Sequence, residues 1–148
     1  MAEKKKARIL FLCTGNACRS QMAEGWARYL YGDRYDVYSA GIEKHGLNLR
    51  AVQVMAEAAV DISHHESALV GELPVQEFDL VITLCGHAHE NCPVFSGGGP
   101  VMHHGFDDPP KLAANARSEK EVLGHYRRVR DEIRDFIRQM PALLNNLS

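Results

Sequence analysis

Cys13 and Arg19 bracket five residues in Cys13-Thr14-Gly15-Asn16-Ala17-Cys18-Arg19-Ser20. A short apolar run, Ile9-Leu10-Phe11-Leu12, comes before, and a helix-like segment, Gln21 to Leu30, comes after. A thiol nucleophile thus stands at a strand-to-helix turn. There the backbone N–H groups of Thr14, Gly15, Asn16, Ala17 and Cys18 point toward one spot, and Arg19 can fork two oxygens of a tetrahedral anion. These residue types at this spacing propose chemistry on an oxyanion such as phosphate or arsenate. Three features favour ionisation of Cys13: the helix N-terminus behind it, the amides that can donate to its sulfur, and the permanent charge of Arg19. Gly15 allows close backbone approach, and Asn16 can hold a left-handed turn or brace the loop. Ser20 can donate its hydroxyl to the thiolate. Cys18 is ambiguous: it packs and supports the loop, or it is a second redox partner for Cys13. The competing reading, a buried structural cysteine with an unrelated arginine nearby, fits the strand–loop–helix context poorly.

Two further cysteines stand seven residues apart in Leu84-Cys85-Gly86-His87-Ala88-His89-Glu90-Asn91-Cys92-Pro93. Were this one continuous helix, the seven residues would rise about 10 Å. A disulfide needs Cα atoms roughly 4.4–6.8 Å apart. Any helix here must therefore unwind or loop out if the two are to join, and residues 86–94 are expected to switch conformation. Gly86 and Pro93 suit a segment that rearranges. A rival reading makes Cys85, His87, His89 and Cys92 a zinc set, but their spacing is not one of the common zinc patterns. No metal site is expected. In Gly105-Phe106-Asp107-Asp108-Pro109-Pro110 the two prolines forbid the centre of a strand or helix, which predicts a loop. A carboxylate held there can shuttle a proton.

The elements that must position these groups alternate. Strands are expected at Arg8–Cys13, Tyr35–Ser39, Asp79–Leu84 and, shorter, Val101–His104, with Gly41 in the turn after the second. Helices are expected at Gln21–Leu30, with Met22, Trp26 and Leu30 on one face, and at Leu49–Ala59, with Val52, Met55 and Ala59 inward. Ser118-Glu119-Lys120-Glu121 forms a capping box ahead of a stripe of Val122, Tyr126, Val129, Ile133, Phe136 and Met140, which Pro141 should end. This alternation predicts an α/β fold, a parallel sheet of about four strands joined by right-handed helical crossovers. Ligands of such sheets sit beyond the carboxyl ends of the strands. Cys13 ends the first strand and Cys85 the third, so both are expected on one rim.

The 148 residues fit one domain, 1–148, with residues 1–6, including Lys4-Lys5-Lys6, as a solvated tail. A formal charge of −2 gives no global attraction to nucleic acid, so an anion site must be local. The first apolar run is too short for a signal peptide or membrane span, which predicts a cytoplasmic protein with reduced thiols and no membrane partner.

The loop from Cys13 to Trp26 resembles the opening signature of the thioredoxin-coupled arsenate reductases, which share the low-molecular-weight protein tyrosine phosphatase fold, a flavodoxin-like α/β architecture. Further matches are Tyr38–Ile42, Thr83-Leu84-Cys85 with Cys92-Pro93, Gly105–Pro109 and Arg127–Ile133. The likeness runs from about residue 7 to about residue 138. It implies that Cys13 attacks arsenate, Cys85 attacks Cys13 and releases arsenite, and Cys92 then forms a Cys85–Cys92 disulfide that thioredoxin reduces. It implies arsenic detoxification by a monomer with no bound cofactor. It also implies that Arg19 binds the oxyanion, that Asp108, immediately before the proline, is the general acid, and that Asp107 is not. Two departures separate the chain from tyrosine phosphatases: Pro110-Lys111-Leu112 stands where those enzymes carry tyrosines, and Gln21 where they commonly carry proline. Some of these reductases bind potassium through positions matching Asn16, Glu24, Ser39 and an aspartate. The aspartate position falls on Ala68 here, so little potassium dependence is expected, with Asn16, Glu24 and Ser39 left to support the loop. The alternatives are a low-molecular-weight phosphatase and a non-catalytic redox or metal sensor.

Overall fold

Strand β1, Ala7–Cys13, is apolar on both faces and almost wholly buried, as a central parallel strand must be. The computed structural model describes residues 6–92 and 99–146. Lys4, Lys5, Pro93, Gly97 and Gly98 lie outside the described residues; Lys6 lies within them and donates to Gly32 O at 3.2 Å. β1 is flanked by β2, Tyr35–Gly41, and β3, Leu80–Thr83, and β4, Val101–His103, adds the outer edge. The order is β2-β1-β3-β4 and every pairing is parallel. The register sets Cys13 beside Gly41 and Leu12 beside Thr83, so the chain segments that leave β1, β2 and β3 emerge along one rim.

The helices are α1, Arg19–Tyr31; α2, Leu49–Glu57; α3, Gly86–Glu90; α4, Pro109–Ala113; α5, Glu119–Ile137; and α6, Met140–Asn145. α1 packs on both β1 and α5, and Trp26 Nε1 ties the two helices by donating to Arg130 O at 3.1 Å. Ser118 caps α5 by accepting from Glu121 N at 3.1 Å, and Glu121 returns a bond to Arg117 N, one residue earlier than the capping box predicts. No described helix is long and apolar enough to cross a membrane.

Four expectations change. Gly41 is the last residue of β2, not part of the turn, because β1 continues to Cys13 and pairs with it. α2 stops at Glu57, and its inward residues are Ala51, Val54 and Met55; Val52 is half-buried and Ala59 exposed. There Val60 N bonds Met55 O and Ala59 N bonds Ala56 O, with Ala59 at φ 65, which is a Schellman turn with alanine in the glycine place. Pro109 and Pro110 do not hold a loop open; they start α4. Pro141 likewise opens α6, and α5 has already ended at Ile137. In each case proline sits in the first helical turn, where its missing N–H leaves no bond unmade.

Candidate active site

The anion loop runs from Thr14 to Cys18 between β1 and α1. Asn16 is fully buried at φ 49, a left-handed conformation that asparagine tolerates better than most residues. Its Oδ1 accepts from Ala68 N at 2.8 Å and Gln21 Nε2 at 3.2 Å. Ala68 N–H can only donate, which fixes the orientation of the amide. Asn16 Nδ2 therefore donates to Ser20 Oγ at 2.8 Å. That bond fills a lone pair of Ser20 Oγ and leaves its O–H to donate to Cys13 Sγ, 2.9 Å away. The sulfur thus receives a donor set in place by the loop itself.

A second layer bends the loop from outside. Ile42 N bonds Cys13 O at 3.2 Å, Glu43 N bonds Thr14 O at 2.8 Å, His45 N bonds Gly15 O at 3.0 Å and Asn48 N bonds Ala17 O at 2.9 Å. Segment 42–48 draws the loop carbonyls outward, which turns the loop N–H groups inward and forms an anion nest. A Cβ on Gly15 would run into the His45 ring, so only glycine fits there. The missing Cβ lets the His45 ring lie against the loop while about half of its side chain stays exposed. Its ring is braced by Glu43, with His45 Nε2 and Glu43 Oε2 2.7 Å apart.

Arg19 opens α1 and its side chain is mostly buried. Nη1 donates to Phe106 O at 3.0 Å, and Nη2 is 3.8 Å from Asp108 Oδ1. The guanidinium therefore spans the anion loop and the start of α4. Asp107 points elsewhere and pairs with Arg128 at 3.0 Å. Cys13, Thr14, Gly15, Ala17, Cys18, Arg19, His45, Asp108 and Pro110 enclose a cavity of about 240 Å³. Burial pushes the Cys18 thiol far up, with the charges at Cys13 and Asp108 adding to the effect and Arg19 opposing it. A thiol held protonated supports the loop and is a poor nucleophile, which favours the packing role for Cys18.

Cys85 stands on the same rim. Its Sγ accepts from Ala88 N at 3.4 Å, capping α3, and lies 3.1 Å from Thr14 Oγ1. Cys92 follows the C-terminus of α3, half-buried, and burial raises its thiol above the usual range. None of the four cysteines is joined in a disulfide. Below α3, the buried Thr83 hydroxyl lies 3.1 Å from His89 Nδ1 and 2.9 Å from His103 Nδ1, docking the helix on the sheet. His87 turns to Asn91 instead. Among the described residues no three His, Cys, Asp or Glu side chains gather to hold a metal ion.

Behind the loop, Ser39 Oγ donates to Glu24 Oε1 at 2.6 Å and Arg28 Nε to Oε2 at 2.9 Å. His65 bonds Gln21 Oε1 at 2.9 Å and lies 3.6 Å from Glu24. Burial holds the His65 imidazole below its usual range, against the pull of Glu24. Ser39, Glu24, His65, Gln21 and Asn16 thus form one polar chain to the loop. Lys44 stands apart, paired with Glu72. The sequence reading missed Glu43, His45 and Asn48, and gave Gln21 no role in the loop. The only hint lay in their place just after the Tyr38–Ile42 match, because their bonds to the loop depend on how β2 lies beside β1.

The chain matches the low molecular weight phosphotyrosine protein phosphatase family over residues 8–147. A protein of Halalkalibacterium halodurans named arsenate reductase is 51% identical over 125 residues, 84% of this chain and 88% of that protein. Arsenate reductase 2 of Staphylococcus saprophyticus is 49% identical over 134 residues, 90% and 95% of the two chains. A solved structure described as an arsenate reductase in oxidized state superposes with a TM-score of 0.75 at 27% identity, covering 96% of this chain and 99% of that one.

Proposed function

The chain belongs to the low molecular weight phosphotyrosine protein phosphatase family, and on that premise we propose that it is an arsenate reductase working through a Cys13–Cys85–Cys92 relay. One observation carries the reading. Thr14 Oγ1 lies 3.1 Å from Cys85 Sγ, so a second thiol stands beside the nucleophile's own loop. Phosphate hydrolysis has no use for that thiol. The relatives at 51% and 49% identity, both named arsenate reductase, support the same choice.

Arsenate seats in the nest of loop amides, with Arg19 across two of its oxygens. The Cys13 thiolate attacks arsenic, and Asp108 gives a proton to the departing oxygen, which leaves as water. Cys85 then attacks Cys13 Sγ. The sulfur–sulfur bond forms, the sulfur–arsenic bond breaks, and its electron pair stays on arsenic, which passes from pentavalent to trivalent. Cys92 attacks Cys85 and frees Cys13, leaving a Cys85–Cys92 disulfide. Thioredoxin, a dithiol of the reducing cytoplasm, is the external reductant that suits this disulfide, and no bound cofactor is called for. Phosphate shares the shape and charge of arsenate, so selectivity arises at the redox step, which phosphorus does not undergo.

Arsenite production with thioredoxin, thioredoxin reductase and NADPH tests the scheme. Cys13→Ser and Cys85→Ser should make none, and Cys92→Ser should stop after one turnover with Cys13–Cys85 trapped. Sustained turnover by Cys92→Ser would break the relay. Aryl-phosphate turnover without any arsenite would make the protein a phosphatase instead.

A further inference from the structure

The relay asks for more protons than Asp108 supplies at once. At neutral pH arsenate enters largely as the hydrogen arsenate dianion. Its conversion with two thiols to arsenous acid, a disulfide and water takes up two further protons. Asp108 gives its proton to the oxygen that leaves in the first displacement. The second displacement expels arsenite, a stronger base than the arsenate that entered, and needs an acid of its own.

His45 stands where that acid is wanted. It lines the cavity that holds Cys13, Arg19 and Asp108. Its Nδ1 is the ring atom pressed closest to Gly15, in the space a Cβ there would fill. Its backbone N–H holds Gly15 O at 3.0 Å, so the ring follows the anion loop. The other nitrogen, Nε2, is 2.7 Å from Glu43 Oε2. A carboxylate only accepts, so Nε2 donates to Glu43, and Nδ1 is the nitrogen left to face the loop. A histidine oriented by a carboxylate on one nitrogen, with no hydrogen-bond partner on the other among the described residues, is the arrangement of a general acid–base residue.

We propose that His45, oriented by Glu43, is a second general acid of this site, protonating arsenite as it leaves. The step rests on the reductase reading above. As Cys85 Sγ bonds to Cys13 Sγ, the sulfur–arsenic pair passes to arsenic and the Nδ1 proton of the His45 imidazolium passes to an arsenic-bound oxygen. Arsenite departs with its charge reduced by one, and the neutral imidazole, about half of whose side chain is exposed, regains its proton from solvent. Besides Glu43, which meets the ring, the ionisable groups that line the cavity with it are Cys13 at the end of β1, Cys18 from the anion loop, Arg19 from α1 and Asp108 ahead of α4.

The test is single-turnover arsenite formation by the fully reduced protein, without external dithiol, alongside binding of inorganic phosphate. His45→Gln keeps the backbone bond to Gly15 and cannot titrate. It should slow arsenite formation about 100-fold, the low end for a lost general acid, with phosphate binding unchanged. Glu43→Gln should slow it less. Imidazole added to His45→Ala should restore the rate, and the rescue should fade as pH rises and the added imidazole loses its proton. A His45→Gln rate equal to wild type overturns the proposal. So does a loss that imidazole cannot restore and that parallels weaker phosphate binding, because His45 would then only shape the loop. A wild-type protein that forms no arsenite removes the reductase reading itself, and the proton role with it.

Discussion

Asn16 shows how much one side chain in this site has to do. It holds a left-handed backbone, accepts from Ala68 and Gln21, and points its amide at Ser20, which in turn reaches Cys13. Asn16→Ala removes both amide roles and leaves the part-buried Ala68 N–H without its acceptor. A donor left unsatisfied in a buried site costs about 1–3 kcal/mol, the upper range for a part-buried one, and alanine in this conformation about 1 kcal/mol more. We expect a loss of about 2–4 kcal/mol in urea unfolding, with arsenate turnover falling further than the loss of folded protein explains. Glu24 gives a second test at this scale. Its two oxygens already accept from Ser39 and Arg28, so the Arg28 guanidinium stands where a bound cation would otherwise balance the carboxylate. Potassium in place of sodium, at fixed ionic strength, should leave turnover unchanged; a marked rise would refute this account. Asn16 as a left-handed brace was readable from its residue type. Its distant partners were not: Ala68 lies 52 residues away, and Ser67, whose hydroxyl donates to Asn16 O, lies 51 away.

At the scale of elements, proline and glycine were the least legible residues. Pro109, Pro110 and Pro141 are chain breakers inside a helix and good starters in its first turn, and which applies depends on whether the preceding carbonyls are already in use. Tertiary packing decides that, by ending α5 at Ile137. The end of α2 follows the same logic in reverse. A Schellman turn is in place with Ala59, not glycine, at φ 65. Ala59→Gly relieves left-handed strain of about 1–2 kcal/mol while adding some unfolded-state entropy. A net gain of about 0.5–1 kcal/mol in denaturant unfolding, at unchanged activity, is the expected outcome. The capping serine of α5 was legible from its motif because capping is local, complete within a few residues of chain.

Across the whole molecule, the proposed relay would carry oxidation from a buried loop to a half-buried cysteine just past the end of α3. Cys85 caps the start of that helix and Cys92 follows its end, so the proposed Cys85–Cys92 disulfide is expected to require α3 to rearrange. Amide exchange over residues 86–92 should be faster in the oxidised protein than in the reduced one; identical protection would sink the rearrangement. Burial raises the Cys92 thiol, so below that raised value the thiolate fraction grows about tenfold per pH unit. Alkylation of Cys92 in the reduced protein should therefore keep rising with pH past the ordinary thiol range. A plateau within the ordinary thiol range would mean that Cys92 is as accessible as a free thiol.

By itself the sequence determined the local chemistry: a thiol, a loop of amides and an arginine at a strand-to-helix turn, and two cysteines whose spacing resists a disulfide within a helix. Residue type and short spacing are enough for these, because backbone geometry over a few residues is nearly fixed. It also determined the alternation that makes a parallel sheet, since a buried strand and an amphipathic helix have different periods. Only the tertiary structure decided which side chains meet across the rim. Thr14 touches Cys85 from 71 residues away, and His45 lies over Gly15, because the register of β2 and β3 on β1 brings those loops together. Such contacts depend on the register of long crossovers and on side-chain rotamers, and neither is written in the spacing of the residues that touch.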